Sequence, residues 1–165
     1  MTRPTLFVLV ALALSIVGCG RAKPDTYDEV RTLFQEFVKP GADRKTLTAK
    51  LRPTKADYEA VFEPEFAARF EAIRTPQWDA GTALNPEAND FKVHWVTTDE
   101  LKNPKSSLPP GIPEQYRTVA DKYKPGITIY GVEMWDKKKP DAQFYVGLIK
   151  VNGNWRFFPK PWEAK

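Results

Sequence analysis

The hydrophobic patterning of the chain predicts an α+β fold, with N-terminal helices packed on a curved antiparallel sheet and a C-terminal β-meander. Three observations carry that prediction. Apolar residues between positions 26 and 75 recur at three- and four-residue spacing, the signature of helices with one buried stripe. From Ile127 onward the spacing changes to two, as in half-buried strands. Asn152-Gly153 then separates two alternating runs, which is the signal of a two-residue type I′ hairpin turn. Helices followed by strands, rather than interleaved with them, argue α+β.

The elements follow in order. Thr26 and Glu29 have capping-box spacing, and Val30, Leu33, Phe34, Phe37 and Val38 share a helical face that ends at Pro40-Gly41. Asp43 can cap a short second helix with Leu47 and Leu51. Thr54 and Asp57 repeat the capping pattern ahead of Tyr58, Val61 and Phe62. Pro64 suits the first turn of a further helix, with Phe66, Ala67, Phe70 and Ile73 on one side as far as Thr75-Pro76. Residues 77–90 read as a loop. Phe91–Thr97 reads as a strand with Phe91, Val93 and Trp95 on one face and Lys92, His94 and Val96 on the other. A long proline-rich connection leads to a short helix between Pro113 and Tyr123. Residues 127–158 then form a three-strand meander, and Trp162 either packs back as a terminal plug or stays partly exposed.

Composition narrows the function. The formal net charge of +4 is spread through the chain and lacks the clustering of a nucleic-acid binder. One cysteine leaves the domain without a possible disulfide, so packing must stabilise it, and 13% aromatic residues supply the material. Fifteen prolines exclude a plain helical bundle.

The N-terminus sets the address. Arg3 precedes the apolar run Leu6–Val17, which is too short for a permanent transmembrane helix and suits the core of a secretory signal. The run closes on Ile16-Val17-Gly18-Cys19. A small residue directly before the chain's one cysteine resembles the lipobox of bacterial lipoproteins. The resemblance implies cleavage between Gly18 and Cys19, with lipid on the Cys19 sulfur and on the new amine. Residues 1–18 are then the signal peptide, 19–25 a lipidated tether and 26–165 a single domain. Two or three acyl chains would hold the domain at the membrane almost permanently. Gly20, where family members retained at the inner membrane carry Asp, implies an outer-membrane location facing the periplasm in a cell with two membranes. The alternative is an ordinary secretory signal cut elsewhere. A lone unpaired thiol in an exported protein favours lipidation over that alternative.

Helices followed by a strand and a meander ending in Asn152-Gly153-Asn154-Trp155 resemble the nuclear transport factor two-like superfamily, in which helices close one face of a curved sheet. The resemblance lies in the order of elements over Thr26–Phe158. The proline-rich connection between Leu101 and Pro113 departs from it.

Catalytic signals are sparse. His94 is the only histidine, which excludes metal sites built on two or more. It can still serve as a general base, although an ordinary strand position is its plainer role. Glu133 interrupts an apolar strand, and inward burial would make it an acid or base; a solvated strand face accounts for it equally simply. Trp95, Trp135 and Trp155 could line a pocket with His94 and Glu133, or be core. Lys137-Lys138-Lys139, flanked by Asp136 and Asp141, reads as a charged hairpin loop. The sequence therefore supports a non-enzymatic, membrane-anchored envelope domain that binds a partner protein or envelope component, with no cofactor beyond the covalent lipid. The alternative is a small-molecule or weakly signposted enzymatic pocket. His94 and Glu133 facing one cavity would favour the alternative, and a filled core beside an exposed aromatic patch would favour the first.

Overall fold

A computed structural model describes residues 21–81, 83–84, 87–139 and 141–165. Gly18, Cys19 and the signal segment lie outside the described residues. The predicted α+β class is the observed one. Five helices, α1 (Tyr27–Val38), α2 (Arg44–Ala49), α3 (Lys55–Val61), α4 (Pro64–Asp79) and α5 (Thr98–Lys102), accompany four strands, β1 (Asp90–Thr97), β2 (Thr128–Trp135), β3 (Ala142–Val151) and β4 (Asn154–Phe157). The strands form one antiparallel sheet in the order β1-β2-β3-β4. A 3₁₀ helix spans Glu114–Lys122, where the sequence predicts a short helix, and a second spans Pro161–Ala164.

Both faces of the sheet are covered. On one, Val93, Tyr130, Val132, Met134, Leu148 and Phe157 pack against Val30, Phe34 and Phe37 of α1. On the other, Val96, Ile129, Val146, Ile149 and Val151 meet α3, α4 and the first 3₁₀ helix through Tyr58, Val61, Phe66, Phe70, Tyr116 and Val119. The second layer is rich in ring contacts. Phe62 lies 4.6 Å from Tyr123, 5.3 Å from Phe70 and 5.5 Å from Phe158, the last two edge-on, an arrangement that adds about 0.5–1.5 kcal/mol per pair to simple burial.

A bulge in β3 makes this two-sided packing possible. Tyr130 pairs with Leu148 while Gly131 pairs with Val146, so Gly147 is an extra residue, at φ +119°. The extra residue puts Val146 and Ile149 on the same face although three positions separate them. A Cβ on Gly147 would lie 2.2 Å from the Phe158 carbonyl oxygen, so only glycine fits.

Several local expectations are met and others corrected. Asp43 caps α2 by accepting from the Thr46 backbone N–H, and Thr54 and Asp57 form the expected capping box of α3. Asp57 does more than cap, accepting from Arg156 Nε at 2.8 Å and Asn152 Nδ2 at 3.1 Å, and so it ties α3 to the β3–β4 hairpin. Thr26 does not cap α1. Its hydroxyl is instead 2.6 Å from that of Tyr130, a contact across the core that outcompetes the local one. The α4 helix does not stop at Thr75-Pro76 but runs on to Asp79. In the last turn Arg74 donates to Gln77 Oε1 at 2.6 Å within the helix, and Arg52 from outside it pairs with Asp79 at 2.7 Å. Ile73 is exposed and Arg74 takes its expected buried place. The Arg74 guanidinium lies 5.5 Å over Phe70 and donates to the Lys160 carbonyl and to Glu163, which satisfies its charge inside the layer. Helix α5, inside the expected long connection, begins directly at the end of β1 on a Thr97–Glu100 capping box.

Candidate functional site

Strand register decides which candidate residues can meet. His94 lies opposite Gly131 and Lys92 opposite Glu133, so His94 and Glu133 are diagonal neighbours on one face. Their side chains touch, Nε2 to Oε2, at 3.2 Å. His94 is 6% exposed and the Glu133 side chain 25%, so the carboxylate is the more accessible member of the pair. Gly131 leaves no side chain between them, and Ile112 closes over it: a Cβ there would lie 2.9 Å from Ile112 Cδ1. Phe144, opposite Glu133 on β3, has its ring 6.3 Å from that of His94. A carboxylate at this position orients the ring through the contact at Nε2.

The five residues singled out from sequence do not line one pocket. Trp135 falls on the His94 face at the far end of β2, whereas Trp95 and Trp155 belong to the opposite layer. Trp95 packs edge-on with Tyr27 at 5.2 Å, and Trp155 with Tyr130 at 5.3 Å. Alternation forces the split, since neighbours in a strand point to opposite faces. The lysine loop is pinned rather than poised. Lys137 pairs with Asp90 at 3.2 Å, Lys139 pairs with Glu87, and Asp136 accepts from the Lys138 backbone and from Asn89. Those hydrogen bonds, the Lys138 one foremost, hold the Asp136 carboxyl below its usual range.

An apolar concavity lies elsewhere. β3 has ten residues and β4 four, and β4 pairs only with Leu148–Val151. The Phe158 N–H still reaches the Gly147 carbonyl at 2.8 Å, after which Pro159, Lys160 in a left-handed turn (φ 49°) and Pro161 take the chain out of the sheet. Ala142–Val146 is thus left without a strand on its second side, among the described residues. Along this edge runs an apolar groove of about 340 Å³ lined by Pro113, Tyr116, Phe144, Tyr145, Pro159 and Trp162 among others. Phe144 is 44% exposed there, a large aromatic open to solvent. Gly111, at φ +76°, lies so close beneath the Phe144 ring that a Cβ would fall 2.0 Å from it. Tyr116 meets Trp162 edge-on at 5.1 Å, and burial pushes its hydroxyl well above the usual tyrosine range.

The expected terminal plug of Trp162 is therefore one wall of the groove. Sequence reasoning missed Phe144, Tyr116 and Gly111 as a set. The usable signal was Pro159 and Pro161, which end the last strand early and leave the longer one uncovered. Among the described residues, no helix is long and apolar enough to cross a membrane, and no group of three His, Cys, Asp or Glu could hold a metal ion. Compared with protein-family models, curated proteins and solved structures, the chain matches none.

Proposed function

We propose that the protein is a bacterial lipoprotein, anchored through Cys19 at the outer membrane and facing the periplasm, whose α+β domain binds an extended segment of an envelope protein without catalysing a reaction. The observation that carries this reading is the aromatic, proline-lined groove beside β3, which outruns β4 among the described residues. A groove along a strand takes an extended segment, with its apolar pockets selecting alternate side chains. Both layers of the sheet are filled with side chains, which supports binding at this surface over an interior cavity.

The test is affinity capture of C-terminally tagged protein from gently solubilised membranes, with Cys19→Ala and Phe144→Glu in parallel. A stoichiometric envelope protein is expected with the wild type, reduced with Cys19→Ala and lost with Phe144→Glu. Wild type recovered alone would overturn the partner reading. It would favour the second reading, a small-molecule or enzymatic site around the His94–Glu133 pair, to be followed by native mass spectrometry for a bound ligand. Wild type that stays in the soluble fraction would overturn the lipid anchor.

A further inference from the structure

Arg21 stands two residues beyond Cys19, and the fold holds it firmly. Its guanidinium donates to the Trp95 carbonyl at 2.8 Å, lies 4.9 Å over the Trp95 ring and pairs with Glu100. A lipid on Cys19 would join the chain two residues before this side chain, which contacts the outer edge of β1. An open depression of about 580 Å³ adjoins this point, lined by Arg21, Glu100 and the segment from Lys105 to Pro110.

Arg117 donates to the carbonyls of Glu100 at 3.1 Å, Leu101 at 2.9 Å and Asn103 at 2.8 Å, and to that of Ser106. One half-buried side chain thus ties the first part of the connection, residues 100–106, together. Lys102 and Lys105 project from it, exposed and without a carboxylate partner among the described residues, whereas the carboxylate of Glu100 is taken up by Arg21 and its own cap. Asp99, in the first turn of α5, has no ion-pair partner among the described residues.

We infer that Arg21 and the 102–110 segment form a preformed surface that lies flat on the bilayer holding the anchor, with Lys102 and Lys105 against anionic phospholipid headgroups. The inference rests on the lipid-anchor part of the proposed function. The Ala142–Val146 segment of β3 lies two strands away from β1 and toward the other end of the sheet.

The test uses the full lipidated chain reconstituted in vesicles of phosphatidylethanolamine and phosphatidylglycerol. Cys19 is the chain's one cysteine, so once its sulfur carries lipid an introduced cysteine is the only free thiol. Ser107→Cys and Lys138→Cys, the second in the loop at the opposite end of the sheet, are labelled with a small fluorophore. Headgroup-level nitroxide lipids then serve as the quencher. Several-fold stronger quenching at position 107 than at position 138 is expected. Adding Lys102→Glu and Lys105→Glu, or replacing the anionic lipid by phosphatidylcholine, should remove most of that difference. Equal quenching at the two sites, in protein that floats with the vesicles, would overturn the surface while leaving the anchor standing. Protein that fails to float and whose Cys19 thiol alkylates freely would overturn both.

Discussion

Asp57 offers the sharpest test of how the helices are fastened to the sheet. Its side chain is nearly buried and accepts from the Thr54 N–H and hydroxyl, both at 2.9 Å, as well as from Asn152 and Arg156. Removing the cap costs about 1 kcal/mol. Losing the charge-assisted bond to Arg156, itself only 18% exposed, adds about 1.5–3 kcal/mol because the guanidinium is left without its partner. Asp57→Ala should therefore destabilise by about 3 kcal/mol, lowering Tm by roughly 10 °C in a domain of this size. The assay is thermal and urea denaturation of a soluble form lacking residues 1–18 and carrying Cys19→Ser, in a double-mutant cycle with Arg156→Ala. A coupling energy of about 2 kcal/mol is expected. Acid should abolish it. Burial alone would raise the Asp57 pKa, but the hydrogen bonds from Thr54, Arg156 and Asn152 outweigh it and hold the carboxyl below its ordinary 3.8. A depressed folded-state pKa contributes stability that is present above the unfolded value and lost as pH falls through the folded one. The gap between wild type and Asp57→Asn should accordingly close as pH drops below about 4. A coupling under about 0.5 kcal/mol at neutral pH, or a gap unchanged down to about pH 2, would refute the reasoning.

Three further outcomes follow from the same geometry. Gly147→Ala meets the Phe158 carbonyl oxygen at 2.2 Å from a φ of +119°, and should cost about 3 kcal/mol or more, read as a collapse of the denaturation midpoint. Arg117→Ala frees the carbonyls that order residues 100–106, and should speed tryptic cleavage after Lys102 and Lys105 by about tenfold while far-UV circular dichroism stays unchanged. Tyr123 buries a hydroxyl that has no hydrogen-bond partner among the described residues, so Tyr123→Phe should be neutral or stabilising by up to about 1 kcal/mol in urea denaturation.

The candidate site illustrates what residue patterns reveal. Alternation correctly put Lys92, His94 and Val96 on one side of β1, and Ile129, Gly131, Glu133 and Trp135 together on β2. It could not say that the two sets share a layer, because that depends on register, which pairs His94 with Gly131 across the sheet. Trp95 is already parted from His94 by alternation within β1, whereas the layer of Trp155 depends on the register of β3 with β4. The groove was less accessible still, since it arises from the difference in length between β3 and β4 and from a loop that arrives from Gly111.

Local chemistry by itself determined the element types, the caps at Asp43 and Thr54, and the hairpin turn, where Asn152 and Gly153 both adopt positive φ. These depend on residues within a few positions of each other, and such interactions are written directly in the order of the chain. Tertiary structure alone decided that the Thr26 hydroxyl turns to Tyr130 and that α4 continues through Pro76. It also buried Arg74 in place of Ile73 and let Gly147 shift β3 by one residue. For Thr26, a contact between residues distant in sequence outweighs a local capping preference worth about 1 kcal/mol. A periodic pattern records which side chains share a face. What that face packs against is settled only when the layers close.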